Sequence, residues 1–277
     1  MDRWEVIFNS HLDVSAFGGN DRQQLRDDFR ILYEDSLTGP ILWEELVTLV
    51  TSSSNNHQVM RVLPGRNIRG YRLAIDSNGN TLADTNGNLL DDPSGNPLEL
   101  TSADANNPDR QAAYAQAQPH VVLDINYLSQ RYYVTSEGTV QQFDSATALM
   151  HEAIHAIRGI PDVAAFGLSV NSSDYLAGLQ GPVVTLTNQI RREIDQNRLG
   201  QGLGPTYPDR AGYLATGDQS TFSHTINGAP VIDYTPNHNA DVAVVRAGFF
   251  SPPTTDSNGN PIAQNDLIIG DFSNTHV

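Results

Sequence analysis

The sequence contains no cysteine. Disulfide staples are excluded, and so is any zinc site built on thiolates, leaving His, Asp and Glu as possible metal ligands. Long apolar runs are also missing, and none approaches the ~20 residues that span a bilayer. The opening run MDRWEVIFNSHLDV lacks the basic flank and apolar core of a secretory signal. The chain is therefore expected either to remain cytoplasmic or to leave by a specialised secretion system. Basic residues are scarce, 16 against 32 acidic ones, for a formal net charge of −16. Such a surface repels nucleic acid and anionic membrane, which sets both aside as principal partners.

What is present fits a folded α+β protein. The 277 residues can bury a sizeable core. DRQQLRDDFRILYED and GPILWEELVTLVTSSS carry apolar residues at helical spacing, whereas HQVMRVLPG and GYRLAID look like strands bounded by turn residues. PHVVLDINYLSQRYYVTSEG suggests two more strands, His120 to Tyr127 and Gln130 to Thr135. The run VVLDINY could be an edge strand that receives an extended peptide, or a packed central strand. SSDYLAGL and PVVTLTNQIRREIDQNRLG suggest two further helices. No domain boundary stands out. The expectation is a single domain over 1–277, with a surface insertion at 76–109 and a polar tail at 251–277.

The insertion is defined by DSNGN, DTNGN and DPSGN, which begin at Asp76, Asp84 and Asp92, eight residues apart; a further DSNGN begins at Asp256. Asn-Gly permits positive φ, so a series of tight Asx turns is one reading. Calcium is the other, because alternating Asp and Asn oxygens resemble the start of an EF-hand loop. The distal bidentate Glu of such a loop is missing, since position twelve counted from Asp76 is Gly87.

The chemistry concentrates in SATALMHEAIHAIRGIPD. Asp144 or Ser145 can cap a helix that Gly159 and Pro161 end. Four residues apart, His151 and His155 project from one face of it, where their neutral imidazoles can converge on one zinc ion. Glu152 is offset by one position, placed to take a proton from an attacking water. At this composition an HExxH pattern arises by chance in on the order of one chain in a hundred.

A third protein ligand is required. Asp174, nineteen residues beyond His155, leads; Glu193 is the alternative, with Asp162, His224 and His238 behind them. Hydrolysis also needs a donor for the carbonyl oxygen, for which Tyr213, Arg210, Arg191 and Arg192 are candidates.

With these residues in place, the chain resembles the NleD-type effector metallopeptidases, zinc proteases that bacteria inject into host cells and that also occur as toxin modules. The likeness rests on SLTGPILWEELVTLV, TALMHEAIHAIRG, DYLAGLQGP, TNQIRREI and PDRAGY, spanning roughly residues 35 to 215 without the insertion. It implies a zincin-like domain with a mixed sheet on the HExxH helix, one Zn²⁺, a protein substrate, His151 and His155 as ligands and Glu152 as catalytic base. It also places Arg210 near the substrate groove. Ser172, Ser173 and Asp174 stand where the family often has an acidic pair, and Thr187 where a Glu is expected. A non-catalytic protein, with structural zinc or stabilised by calcium at the DxNGN turns, is the competing expectation.

Overall fold

The computed structural model describes residues 1–52, 55–134, 140–160, 173–203, 207–210, 216–218, 224–226 and 229–231; of these, residues 132, 134, 140, 173–180, 216–218, 224–226 and 229–231 are described by backbone alone. In chain order the elements are α1 (Arg3–His11), β1 (Leu12–Asp13), α2 (Gly19–Glu34), α3 (Thr38–Thr51), β2 (Met60–Pro64), β3 (Arg69–Leu73), β4 (Glu99–Leu100), α4 (Ser102–Ala105) and α5 (Gln111–Gln116). Then come β5 (Gln118–Leu123), α6 (Ile125–Leu128), β6 (Arg131–Val134), β7 (Val140–Gln142), α7 (Ser145–Arg158), α8 (Ser173–Gly200), β8 (Thr216–Asp218), β9 (His224–Ile226) and β10 (Ala229–Val231). Among the described residues no helix is long and apolar enough to cross a membrane.

The fold is α+β with a mixed main sheet. Its strand order is β1-β2-β5-β3-β4, parallel across β1, β2 and β5 and antiparallel across β5, β3 and β4. All six residues of β5 are buried, and both its edges are paired. Of the two readings of VVLDINY, this decides for the packed central strand: Val121–Leu123 is apolar without a break, as expected of a strand buried on both faces. The strand also stops at Leu123, because the Asp124 side chain accepts from Tyr127 N–H at 2.9 Å and starts α6.

Helices α1, α2 and α3 pack one aromatic group together: Phe29 lies 5.5 Å from Phe8 and 4.5 Å from Trp43, ring to ring. Their shared core continues into α7, β2 and β5. Helix α1 went unrecognised in the sequence; only Trp4, Ile7 and Phe8 of its nine residues are buried, too few for a clear stripe.

Helix α7 carries HEAIH and is buried along nearly its whole length. The Asp144 carboxylate caps its start, accepting from Thr147 N–H at 2.6 Å. Gly159 closes its end in the left-handed conformation, φ 63°. Arg72 of β3 reaches the same end. Its buried guanidinium donates to the α7 carbonyls of Ala156 (2.8 Å) and Ile157 (2.7 Å), which lie in the last turn and have no N–H ahead of them in the helix, and to the Tyr114 carbonyl of α5 (2.8 Å). The α8 segment is two helices meeting at Gly181 (φ 59°) before Pro182, as the two separate sequence runs suggested.

The Asx-Gly repeats form three hairpins. In each, the Asp carbonyl accepts from the Gly N–H three residues on, and Gly79, Gly87 and Gly95 have φ near 80° (84°, 85° and 79°). The hairpins are joined in a closed cycle: Leu82 N–H donates to Ala74, Leu90 to Leu82, Leu98 to Leu90, and Ala74 back to Leu98. Their apolar residues pack with Leu100, Ala113, Tyr114 and Ala117 in a small core of their own. Each Asp is an internal acceptor; Asp76 Oδ1 takes the N–H groups of Asn78 (2.8 Å) and Asn80 (2.9 Å), and its Oδ2 the Asn80 amide (3.0 Å). These bonds hold the Asp76 carboxyl down at about 2 and lower those of Asp84 and Asp92.

Candidate metal centre

On α7 the rings of His151 and His155 stand edge to face, centroids 5.1 Å apart. Two imidazoles bound through Nε2 to one ion at ~2.1 Å would have centroids roughly 5 Å apart, so the pair fits zinc. The second observation concerns tautomer. His155 Nδ1 lies 2.7 Å from the carbonyl oxygen of Ile160, which can only accept. Nδ1 therefore carries a proton, so in the neutral ring that zinc requires it is Nε2 that offers the lone pair. Gly159 makes this contact possible by turning the chain back over the last turn of the helix.

Glu152, 4% exposed, lines a narrow cleft with His151. Its walls come from Ile68 before β3, Phe143 and Thr147 at the start of α7, Thr187, Asn188 and Arg191 of α8, and Arg210. Strand β3 presses on the motif itself: a Cβ at Gly70 would lie 1.9 Å from the Glu152 carbonyl oxygen and 3.0 Å from His155 Cβ. Only glycine allows that approach. A glycine within a strand-like run was a visible signal for it.

The other sequence candidates divide. Glu193 is drawn to α3: its carboxylate accepts from the N–H groups of Leu37 (2.9 Å) and Thr38 (2.8 Å), the Thr38 hydroxyl (2.7 Å) and the Gln189 amide (2.9 Å). Burial pushes this carboxyl up, but those hydrogen bonds outweigh it and hold it below the usual range. Asp174 lies on the first turn of α8, where only the backbone is described, as is that of His224 in β9. Asp162, Tyr213 and His238 fall outside the described residues, and so does the 251–277 tail. Among the described residues no group of three His, Asp or Glu side chains is arranged to hold an ion.

Of the arginines, Arg191 and Arg210 both reach the cleft and are almost fully buried, whereas Arg192 is exposed and paired with Asp209 at 2.5 Å. Arg191 donates to Thr147 Oγ1 (2.7 Å) and lies over the Tyr133 ring (4.5 Å). Asn188 opens the N-x-I-R-x-E pattern on which the resemblance partly rests, but its sequence context assigned it no role. A buried acid also touches the start of α7. Asp28 accepts from the Ser145 hydroxyl and from Gln24 (3.0 Å), and burial pushes its carboxyl up to about 6 despite those bonds.

No protein-family model matches the chain, and no curated protein matches its sequence. Among solved structures, a Salmonella zinc metalloprotease effector, GtgA, is similar at 16% identity over 77% of this chain and 84% of that one, with a TM-score of 0.41. A likeness that loose has no weight for function, which has to be read from the site.

Proposed function

We propose that the protein is a zinc-dependent endopeptidase of zincin-like architecture, of the effector or toxin kind that the NleD-type resemblance implies. The observation that carries this reading is the oriented histidine pair: His151 and His155 share one face, and the Ile160 carbonyl fixes which nitrogen His155 presents. When bound, zinc would supply Lewis acidity and a water of lowered pKa. His151 and His155 would hold it.

For the third ligand, Asp174 at the start of α8 leads. Glu193 is committed to the start of α3.

Glu152 takes a proton at a carboxylate oxygen from the attacking water and returns it to the leaving amine nitrogen. Arg210 donates to the acyl oxygen as charge develops there. An extended substrate lies along the outer edge of β3 at Arg69–Tyr71, where no described strand pairs, since β4 covers only Arg72 and Leu73.

The test is zinc content together with turnover of a quenched-fluorescent peptide pool. Wild type should hold about one zinc and cleave, and Glu152→Gln should keep the metal and lose cleavage. Full activity in that variant would remove Glu152 from the mechanism.

A further inference from the structure

Residues Tyr207 to Arg210 run along α8, held by side chains at 188, 191, 192 and 195, a spacing that places them on one helix face. The Asp195 carboxylate accepts from Tyr207 N–H (3.1 and 3.2 Å), Arg192 pairs with Asp209 (2.5 Å), and Arg191 donates to the Pro208 carbonyl (3.0 Å). The Tyr133 hydroxyl donates to that same carbonyl at 3.1 Å. Asn188 completes the set in a different way. Its Oδ1 accepts from Arg210 N–H and its Nδ2 donates to the Arg210 carbonyl, both at 2.8 Å.

One buried amide thus satisfies both backbone groups of a single residue, as a neighbouring strand would. Asn188 is 2% exposed and Arg210 4%. With its backbone fixed on both sides, Arg210 keeps only rotamer freedom, and its guanidinium lies over the Phe143 ring, 5.3 Å from the centroid. That position is in the wall of the cleft that holds His151 and Glu152.

We infer that Asn188 is a positioning residue, which acts through Arg210 by fixing where that guanidinium meets the substrate's acyl oxygen. The inference rests on the peptidase reading for the role of Arg210. The grip itself is a property of the chain. On its face of α8, Asn188 grips both backbone groups of Arg210, whose side chain enters the cleft.

The experiment is a double-mutant cycle on the zinc-loaded protein, with the quenched-fluorescent peptide pool as probe. Asn188→Ala should lower kcat/KM roughly 10- to 100-fold, mainly in kcat, as expected for a catalytic group displaced by about an ångström. Zinc content should not change. In an Arg210→Ala background the same substitution should cost less than about twofold, because the group it positions is gone. Arg192→Ala, which breaks only the exposed ion pair of the same segment, should stay within about twofold of wild type. Additive effects of Asn188→Ala and Arg210→Ala would overturn the inference.

A second readout needs no turnover. The Arg210 Nε–H resonance, identified by its loss in Arg210→Lys, should shift or broaden in Asn188→Ala. An unchanged resonance overturns the inference even if wild type cleaves. A shifted resonance in a protein that cleaves nothing supports the positioning and counts against the peptidase. If the alanine variant does not fold, Asn188→Ser keeps a neutral polar side chain, is too short to bond both backbone groups of Arg210, and is read in the same way.

Discussion

Gly70 of β3 rests directly on the Glu152 carbonyl: a methyl group at position 70 would stand 1.9 Å from that oxygen. The sheet and the HEAIH helix are therefore in register at the residue proposed to move protons.

Gly70→Ala should push α7 off the sheet. Overpacking of this kind costs about 1–3 kcal/mol, and more where backbone opposes backbone. The expected outcome is a lowered Tm and a loss of turnover larger than the stability loss alone explains, because the displaced backbone belongs to Glu152. Calorimetry beside peptide turnover checks it.

Arg72 should prove as important as any apolar core residue. Arg72→Met leaves the carbonyls of Ala156 and Ile157 without their donor and removes one of two from Tyr114, at a cost of about 2–4 kcal/mol. For a chain of this size that corresponds to a fall in Tm of roughly 5–15 °C by calorimetry. Unchanged stability would mean that water replaces the guanidinium.

Asp28 gives the protein a pH dependence of unusual sign for a carboxylate. Its folded pKa is raised to about 6, so between about 4 and 6 the native state binds a proton that the unfolded chain does not. Stability from this group is therefore lost as pH rises through 6, by at most about 3 kcal/mol. Asp28→Asn should flatten that part of the stability–pH curve measured by urea unfolding. Glu193 works in the opposite direction: its pKa is lowered, so its contribution is present above about 4 and lost in acid.

Metal analysis separates the candidate ligands. Asp174→Ala should lose zinc on dialysis, while Glu193→Gln keeps it. Glu193→Gln should instead lose about 1 kcal/mol of stability, the cost of a weakened helix cap. Retention of zinc by Asp174→Ala with loss in Asp162→Ala would move the third ligand from α8 to Asp162.

Millimolar calcium should leave the Tm unchanged, because the Asp76, Asp84 and Asp92 carboxylates already serve their own turns. Asp84→Ala should lower Tm whether or not calcium is present. A rise of several degrees with calcium would favour the competing calcium-stabilised reading.

The helix was legible because its information is local. Caps, apolar residues and the histidine pair all lie within about eighteen consecutive positions, and Asp144 and Gly159 do what their residue types suggest. Its supports are not local. Arg72 meets α7 across more than eighty residues, and Asn188 meets Arg210 across twenty-two, with no periodicity to announce either. VVLDINY was ambiguous for another reason: an apolar run says that a strand is buried, not whether both its edges are paired. The proposed role of Glu193 was a matter of distance; a carboxylate on the right helix points at α3 because the exposed N–H groups of that helix attract it.

The closed cycle of Ala74, Leu82, Leu90 and Leu98 has an evolutionary consequence. Short tandem repeats usually grow and shrink by copying errors, since an open stack tolerates any number of units. Here the last unit must return to the first, so gaining or losing eight residues leaves one backbone N–H and one carbonyl without each other and moves β4 away from β3. The number of repeats is fixed by geometry, and sequence drift within the turns should be much freer than change in their number.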